Sequence, residues 1–297
     1  MTEIRLLVDA KNVLGECPLW DVQSERLYWV DSHRARIFRA TAQGEEIEEW
    51  MLPSTIGSMA LRRDGGAVVS LRSGLYLFDF DSGGSEPIAH PEEGLPEVRL
   101  NDGKVDRQGR FVIGSFDEAL FSSPAPALVP RGSLYRLDTD LRLTTLEHGI
   151  GVANGPCWSP DGRTFYLADT WANTVWSYEW DTDGVPRGKR VFVKGHGPGA
   201  PDGATVDSEG YIWNAWIGTG TGGGDIRRYS PDGRLDRCVQ LPTMKVTSVM
   251  FGGPDLDVLY VTSMGLQGFA EDREADGGLF AIEGLGVQGI PEPRFGG

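Results

Sequence analysis

The chain has 297 residues and carries 43 Asp and Glu against 28 Lys and Arg, a formal net charge of −15. Such an acidic chain lacks the clustered cationic side chains with which proteins bind nucleic acids or anionic membranes, so we expect neither as a partner. Its 41 Gly and 18 Pro, with apolar stretches that are short throughout, favour many short strands joined by turns.

The N-terminus, residues 1–9, has neither the basic leader nor the long apolar run of a signal peptide. No segment of the chain approaches the roughly 20 apolar residues that a membrane-spanning helix needs. The cysteines Cys17, Cys157 and Cys238 follow no metal-ligand spacing. We therefore expect a cytoplasmic protein with reduced thiols.

Six segments of similar plan follow one another along the chain. Each has an apolar run, a turn rich in Asp and Gly, and two further strand-like runs; the third copy also has an insertion that holds Pro124, Pro126 and Pro130. The predicted strands, in chain order, are 17–20, 26–31 and 36–40; 58–61, 67–71 and 74–78; 101–105, 110–114 and 132–137; 155–158, 164–169 and 174–178; 204–206, 211–215 and 226–229; and 248–251, 258–262 and 278–282. A repeat of about 40 to 55 residues with three or four strands per copy predicts an all-β, six-bladed β-propeller.

A propeller has to close its ring. The segment 4–8 has strand character but no partner in the first copy. We predict that it pairs into the last blade beside Phe280, and that residues 1–297 form a single domain.

The first strand of each blade runs along the central channel of a propeller, so the residue at its start faces one mouth of that channel. In this chain those residues all carry oxygen donors: Glu16, Ser58, Asn101, Asn154, Asp202, and Thr247 or Ser248. Two carboxylates packed with amide carbonyls need a counter-charge, because bringing like charges together out of water costs several kcal/mol. Oxygen ligands indicate one hard divalent cation such as calcium, magnesium or manganese, with zinc or ferrous iron as alternatives.

The sequence resembles the SMP-30/gluconolactonase/regucalcin family over essentially its whole length. The motifs that carry the resemblance are Leu14-Gly15-Glu16-Cys17-Pro18-Leu19-Trp20, Arg99-Leu100-Asn101-Asp102-Gly103-Lys104, Asn154-Gly155-Pro156, Pro201-Asp202-Gly203, Phe251-Gly252-Gly253-Pro254-Asp255-Leu256 and the ending 284–290. The resemblance implies a six-bladed propeller that acts on sugar-acid lactones. It also implies one divalent cation, with calcium the first expectation, held by Glu16, Asn154 and Asp202.

Further site residues also follow from the resemblance. Arg99 and Asn101 match the positions that hold substrate hydroxyls in relatives. Some relatives carry a substrate-facing Glu after the second strand of the third copy, where this chain has Phe116-Asp117-Glu118-Ala119. Asp117 or Glu118 is therefore the expected replacement, with Glu118 as a third substrate-binding residue.

The expected ligand set predicts a mechanism. The cation would stabilise the oxyanion formed when water attacks the lactone carbonyl. Asp202 is the first candidate for the base that takes the proton from that water, and Asp117 is the second. Trp171 and Trp216, on predicted connections, are candidates for walls of the pocket.

Two other functions stay open at this stage. One is a different hydrolase on the same scaffold, which would cleave phosphotriesters or aryl esters. The other is a non-catalytic propeller that binds calcium or a protein partner. The sequence does not choose between pentono-, hexono- and anionic hexono-lactones, and we expect a monomer or a weak homo-oligomer.

Overall fold

The computed structural model describes residues 2–122, 129–219, 222–268 and 270–297. The strands form six antiparallel sheets of four strands each, which we call blades 1 to 6. Pro124 and Pro126 of the predicted insertion lie outside the described residues. No helix within the described ranges has the length and apolarity to cross a membrane.

The blades follow the chain in order. Blade 1 holds β2 (Gly15–Asp21), β3 (Arg26–Asp31), β4 (Arg36–Ala40) and β5 (Glu48–Met51), and blade 2 holds β6 (Ile56–Leu61), β7 (Ala67–Leu71), β8 (Gly74–Phe78) and β9 (Ser85–Ala89). Blade 3 holds β10 (Val98–Val105), β11 (Phe111–Asp117), β12 (Gly132–Leu137) and β13 (Leu143–Ile150), with a short helix α1 (Ala119–Ser122) after β11. Blade 4 holds β14 (Ala153–Trp158), β15 (Thr164–Asp169), β16 (Thr174–Glu179) and β17 (Arg187–Lys194). Blade 5 holds β18 (Ala200–Val206), β19 (Ile212–Ile217), β20 (Asp225–Tyr229) and β21 (Leu235–Gln240).

Blade 6 combines the two ends of the strand order. It holds β22 (Val246–Gly252), β23 (Val258–Ser263) and β24 (Leu279–Glu283), and its outermost strand is β1 (Glu3–Val8). β1 pairs antiparallel with β24, so that Ile4 lies opposite Ile282 and Leu6 lies opposite Phe280. The N-terminal strand thereby covers the edge that β24 would otherwise expose.

The innermost strands of the six blades form a closed ring. β2 contacts β6, β6 contacts β10, and the series continues through β14, β18 and β22, which contacts β2 again. Apolar side chains fill the space between neighbouring blades; Trp213 of blade 5, for example, packs edge to face on Phe251 of blade 6 at 5.7 Å. The prediction of an all-β, six-bladed propeller is confirmed.

The sequence predicted the inner three strands of each blade but missed most of the outermost ones. The missed strands lie at the periphery and show little alternation of apolar and polar residues; they are β5, β9, β13, β17 and β21. β17, for instance, reads RGKRVFVK and is mostly exposed. A strand with water on one side and few apolar residues gives little periodic signal.

Every innermost strand carries a bulge at the end where it enters the channel. The register with the second strand shifts after Glu16, Ile56, Leu100, Asn154, Pro201 and Val246, respectively. A bulge bends a strand and re-aims the side chains next to it. The bulges therefore place six equivalent positions around one mouth of the channel.

The C-terminal segment closes the opposite end of the ring. Gly289 pairs with Asp207, at the end of β18, and Phe295 pairs in parallel with Arg62, at the end of β6. Between these points Glu292 lies 3.9 Å from the ammonium group of Lys104, inside the channel. The cavity that remains inside the channel, lined by Cys17, Lys104 and Glu292 among others, measures only about 20 Å³, which is room for little more than one water molecule.

We expect Ile4→Ala to lower the free energy of unfolding by about 1–2 kcal/mol, because Ile4 is only partly buried against the core of blade 6. Arg5→Ala is the matched control on the same strand. It removes one exposed ion pair, with Glu283 at 3.7 Å, and should change stability by no more than ~0.5 kcal/mol. Urea unfolding of both variants measures the difference. Equal effects would mean that pairing of β1 does not depend on its inward-facing side chains.

Candidate functional site

The site lies at the mouth where the innermost strands begin. Asn101, Asn154 and Asp202 sit at the bulges of β10, β14 and β18, and Glu16 sits at the bulge of β2. Four blades thus each contribute one oxygen-bearing side chain to the channel. The donors predicted for the other two blades are engaged elsewhere: Ser58 is buried against Ser70, and Thr247 donates to the carbonyl of Gly15 in blade 1. Ser248, the alternative to Thr247, packs against Gly203.

Glycines next to two of these residues let the strands approach closely. A Cβ on Gly155 would lie 2.8 Å from the carbonyl oxygen of Asp202. A Cβ on Gly203 would lie 2.1 Å from the hydroxyl oxygen of Ser248. The pairs Asn154-Gly155 and Asp202-Gly203 are therefore not hairpin turns. They mark places where the innermost strands of neighbouring blades pack too closely for a side chain.

A chain of hydrogen bonds links three blades across the mouth. Arg99 donates to Oδ1 of Asn101 at 2.9 Å, and Asn101 donates through Nδ2 to Oδ1 of Asn154 at 2.7 Å. Asn154 donates to the hydroxyl of Thr170 at 2.9 Å, and that hydroxyl donates to the carbonyl of Pro201 at 2.7 Å. The side chain of Asn154 is thereby fixed from both sides, while its Oδ1 keeps a second lone pair.

Three carboxyl groups lie close to this series of hydrogen bonds. Burial raises the pKa of Glu16 well above the usual range, and the charges of Asp202 and Asp102 raise it further. Burial, followed by the charge of Asp102, also raises the pKa of Asp202. The pKa of Asp102 is raised by burial as well, although Lys104 and the amide of Gly155, which donates to Oδ2 at 2.8 Å, oppose the rise. Three carboxyl groups from blades 1, 3 and 5 therefore share one electrostatic environment.

The residues present fit a hard divalent cation. Asp202 is only 6% exposed, and its Oδ1 has no hydrogen-bond partner within the described part of the chain. An orphaned buried carboxylate oxygen beside a second carboxylate is costly unless a cation compensates it. Across the described ranges, no cluster of three or more His, Cys, Asp or Glu is arranged to hold a metal, so a cation here would depend on the amide oxygen of Asn154 as well.

Asp117 does not have the surroundings of a general base. It is 1% exposed and accepts hydrogen bonds from the guanidinium of Arg131 at 2.6 and 2.9 Å and from two backbone amides. The hydrogen bond with Arg131 holds the pKa of Asp117 below its usual value. The second candidate of the sequence analysis therefore anchors the start of β12 to the end of β11, because Arg131 precedes one strand and Asp117 ends the other.

Glu118 lies at the rim of the site as an orienting group. It accepts from Nε of Arg99 at 3.0 Å and from both terminal nitrogens of Arg72, at 2.6 and 3.1 Å. Arg99 is 4% exposed and also lies over the ring of Phe116 at 4.5 Å. Glu118 and Asn101 together fix the plane of the Arg99 guanidinium.

An aromatic ledge flanks the mouth. Trp171 follows Thr170, is 45% exposed, and meets the ring of Phe121 at 5.4 Å. Trp216 is different: it lies within β19, is fully buried, and is covered by the guanidinium of Arg227 at 4.0 Å. The expectation that Trp216 lines the pocket is wrong, because β19 continues two residues beyond the predicted end at Ala215 and the Trp216 side chain is buried.

Sequence reasoning missed several residues that hold the site together. Thr170, Asp102, Lys104 and Asn214 all make hydrogen bonds to the segments that carry the predicted ligands. Asp102 and Lys104 lie in the motif 99–104 beside Asn101, and this position is the signal that points to them. Thr170 and Asn214 lie on or after second strands, where no spacing rule points to the channel.

Comparison with known proteins identifies the family of the chain. The chain matches the SMP-30/gluconolactonase/LRE-like region over residues 14–265. It is 37% identical to a 6-deoxy-6-sulfogluconolactonase of Pseudomonas putida, with 99% of each chain covered, and 36% identical to the pentonolactonase XacC of Haloferax volcanii, with 99% and 98% covered. Among solved structures it is similar to the calcium-binding protein regucalcin of Agrobacterium tumefaciens, with a TM-score of 0.87, 29% identity, and coverage of 98% and 96%. The chain therefore belongs to the SMP-30/gluconolactonase family, as its motifs predicted.

Proposed function

We propose that this protein is a lactonase that hydrolyses a sugar-acid lactone, an aldono-1,4- or 1,5-lactone, to the free aldonic acid. The observation that carries the proposal is the buried carboxylate of Asp202 beside the partly buried Glu16 at the channel mouth, with one Asp202 oxygen that has no hydrogen-bond partner among the described residues. Two relatives that align over the whole chain are named as lactonases of sugar acids, which supports the same reaction class here.

Glu16, Asn154 and Asp202 are the proposed ligands of one divalent cation, with calcium as the first candidate. The name of the structural neighbour, a calcium-binding protein, and the all-oxygen donor set both favour calcium. When bound, the cation would polarise the lactone carbonyl and stabilise the developing oxyanion.

The chain's own residues would supply position and proton transfer. Arg99 and Asn101, locked to one another and to Glu118, would hold hydroxyls of the sugar in a fixed register. Asp202 is the proposed base, which would accept the proton of the attacking water. The ledge of Phe121 and Trp171 would exclude water from one side of the ring.

The direct test is an assay of aldono-lactone opening after chelation, with calcium, zinc, manganese or ferrous iron restored one at a time. We expect turnover to return with at least one of these ions. Turnover of an organophosphate or aryl ester instead would favour the alternative hydrolase. Tight calcium binding without turnover of any pentono- or hexono-lactone would favour a non-catalytic propeller.

We expect Asp202→Ala to lower turnover by at least ~100-fold and Asn154→Ala to weaken cation binding by at least ~10-fold, because each removes one proposed ligand and Asp202 is also the proposed base. Asp161→Ala, which removes an exposed carboxylate in a hairpin turn, is the matched control and should change neither quantity. Calorimetric titration and the lactone assay measure both. Retained metal and near-normal turnover in the two site variants would contradict the proposal.

The cation-free protein should lose stability as the pH rises. A carboxyl group whose pKa is raised by folding stabilises the folded state below its unfolded pKa, near 4, and this contribution is lost as the pH rises through the folded value. With chelator present, we expect the Tm of the wild type to fall between pH 5 and pH 8 relative to that of Asp202→Asn. The relative shift should be at least a few degrees, since about 1 kcal/mol corresponds to ~2–4 °C for a domain of this size. Adding calcium should recover more stability at pH 8 than at pH 5; a pH-independent difference between the two proteins would argue against shared buried charge.

Asp117→Asn should lower stability and leave turnover nearly unchanged, the reverse of what we expect at Asp202. Because Asp117 is paired with the partly exposed Arg131, its loss should lower the free energy of unfolding by about 1–3 kcal/mol while turnover stays within ~3-fold. Its pKa is lowered by folding, so its contribution is present above the usual carboxyl pKa and is lost as the pH falls. Urea unfolding and the lactone assay on both variants provide the comparison. A large loss of turnover at normal stability would return Asp117 to the list of bases.

A further inference from the structure

The backbone that carries Asp202 is held by side chains. The bulge of β18 interrupts its pairing with β19 between Pro201 and Ala204. Four consecutive carbonyls in this stretch accept hydrogen bonds from side chains: Pro201 from Thr170 at 2.7 Å, Asp202 and Gly203 from Nδ2 of Asn214 at 2.8 and 3.1 Å, and Ala204 from Lys104 at 2.7 Å. Asp202 and Gly203 lie outside the regular ladder, so the two bonds from Asn214 take its place there, while Pro201 and Ala204 still pair with β19.

Asn214 holds the two central carbonyls by itself. It lies on β19, is 1% exposed, and its amide nitrogen reaches both carbonyls of the Asp202-Gly203 pair. Its Oδ1 has no hydrogen-bond partner within the described part of the chain. Since only an NH₂ group can donate to two carbonyls, this network also fixes which end of the amide faces the bulge.

The segment cannot relax toward the neighbouring blade if Asn214 is lost. Gly203 already lies so close to Ser248 that a Cβ would be 2.1 Å from its hydroxyl oxygen. Two buried carbonyls without donors are unfavourable, and the peptides on either side would rotate to find other partners. The direction in which Asp202 projects its carboxylate depends on those same peptides.

We propose that Asn214 is a positioning residue, which orients the carboxylate of Asp202 toward the cation and the attacking water by holding the bulge of β18. The inference rests on the proposed function of Asp202 and extends it to a residue that touches neither substrate nor cation. Residues that orient a metal ligand from behind commonly change metal affinity or activity by 10- to 100-fold when replaced.

The test compares Asn214→Val with Thr205→Val. Both replace a buried polar side chain with Val, but the hydroxyl of Thr205, on β18 itself and 2% exposed, has among the described residues only the sulfur of Met250 as a hydrogen-bond partner, at 3.9 Å. We expect Asn214→Val to fold, to bind calcium at least ~10-fold more weakly, and to lower kcat by ~10- to 100-fold at saturating calcium with KM within ~3-fold. Thr205→Val should leave the calcium Kd, kcat and KM within ~3-fold of wild type.

A purely structural role for Asn214 would lower stability without this split between kcat and KM. The inference is overturned if Asn214→Val matches Thr205→Val in calcium affinity and in kcat at saturating calcium. Asn214→Ser, whose hydroxyl can donate to one of the two carbonyls, should be intermediate and replaces the Val variant if that one does not fold. A wild type that opens no lactone would refute the proposed function alone, because calcium titration of the same variants still decides whether Asn214 positions Asp202.

Discussion

Like charge gathered at the mouth of the channel is the constraint on which the rest of this structure depends. Glu16, Asp102 and Asp202 come from three different blades, and burial raises the pKa of each; the charges of Asp202 and Asp102 raise the pKa of Glu16 further, and the charge of Asp102 raises that of Asp202. The nearest cationic side chains are already engaged, since Arg99 binds Glu118 and Lys104 binds the carbonyl of Ala204. The channel therefore keeps an excess of negative charge at its mouth, which is a natural site for a divalent cation and an unfavourable one without it.

The bulges convert a regular repeat into a site. In an unbroken strand, successive side chains point to the two neighbouring blades and none points along the channel. Each innermost strand breaks this alternation once, and in blades 1, 3, 4 and 5 an oxygen-bearing side chain at the break faces the channel. The loss of ladder hydrogen bonds at these breaks is offset by side chains such as Asn214 and Thr170. Repetition thus sets where the functional groups lie, and the supporting hydrogen bonds set how they are oriented.

The sequence predicted the strands and site residues that recur at the same position in each blade, and few of the contacts that occur in one blade only. The positions of Glu16, Asn101, Asn154 and Asp202 were predictable because each occupies the same register in its own copy. Asp117 was not, because its partner Arg131 lies across an insertion and no periodicity links the two. Trp216 was assigned to a connection because the predicted strand stopped at Ala215, whereas β19 continues to Ile217. Asn214 has no sequence signal at all: an Asn on a second strand is ordinary until the carbonyls opposite it are known to lack ladder partners.

The C-terminal segment has a consequence for how molecules move through the protein. Because Glu292 and its neighbours fill the far end of the channel, the described residues leave the channel open only at the mouth near Asp202. Whatever enters to reach Asp202 must leave by the same route. If the proposed lactone hydrolysis takes place there, the open-chain acid would have to leave through this mouth before the next lactone could enter.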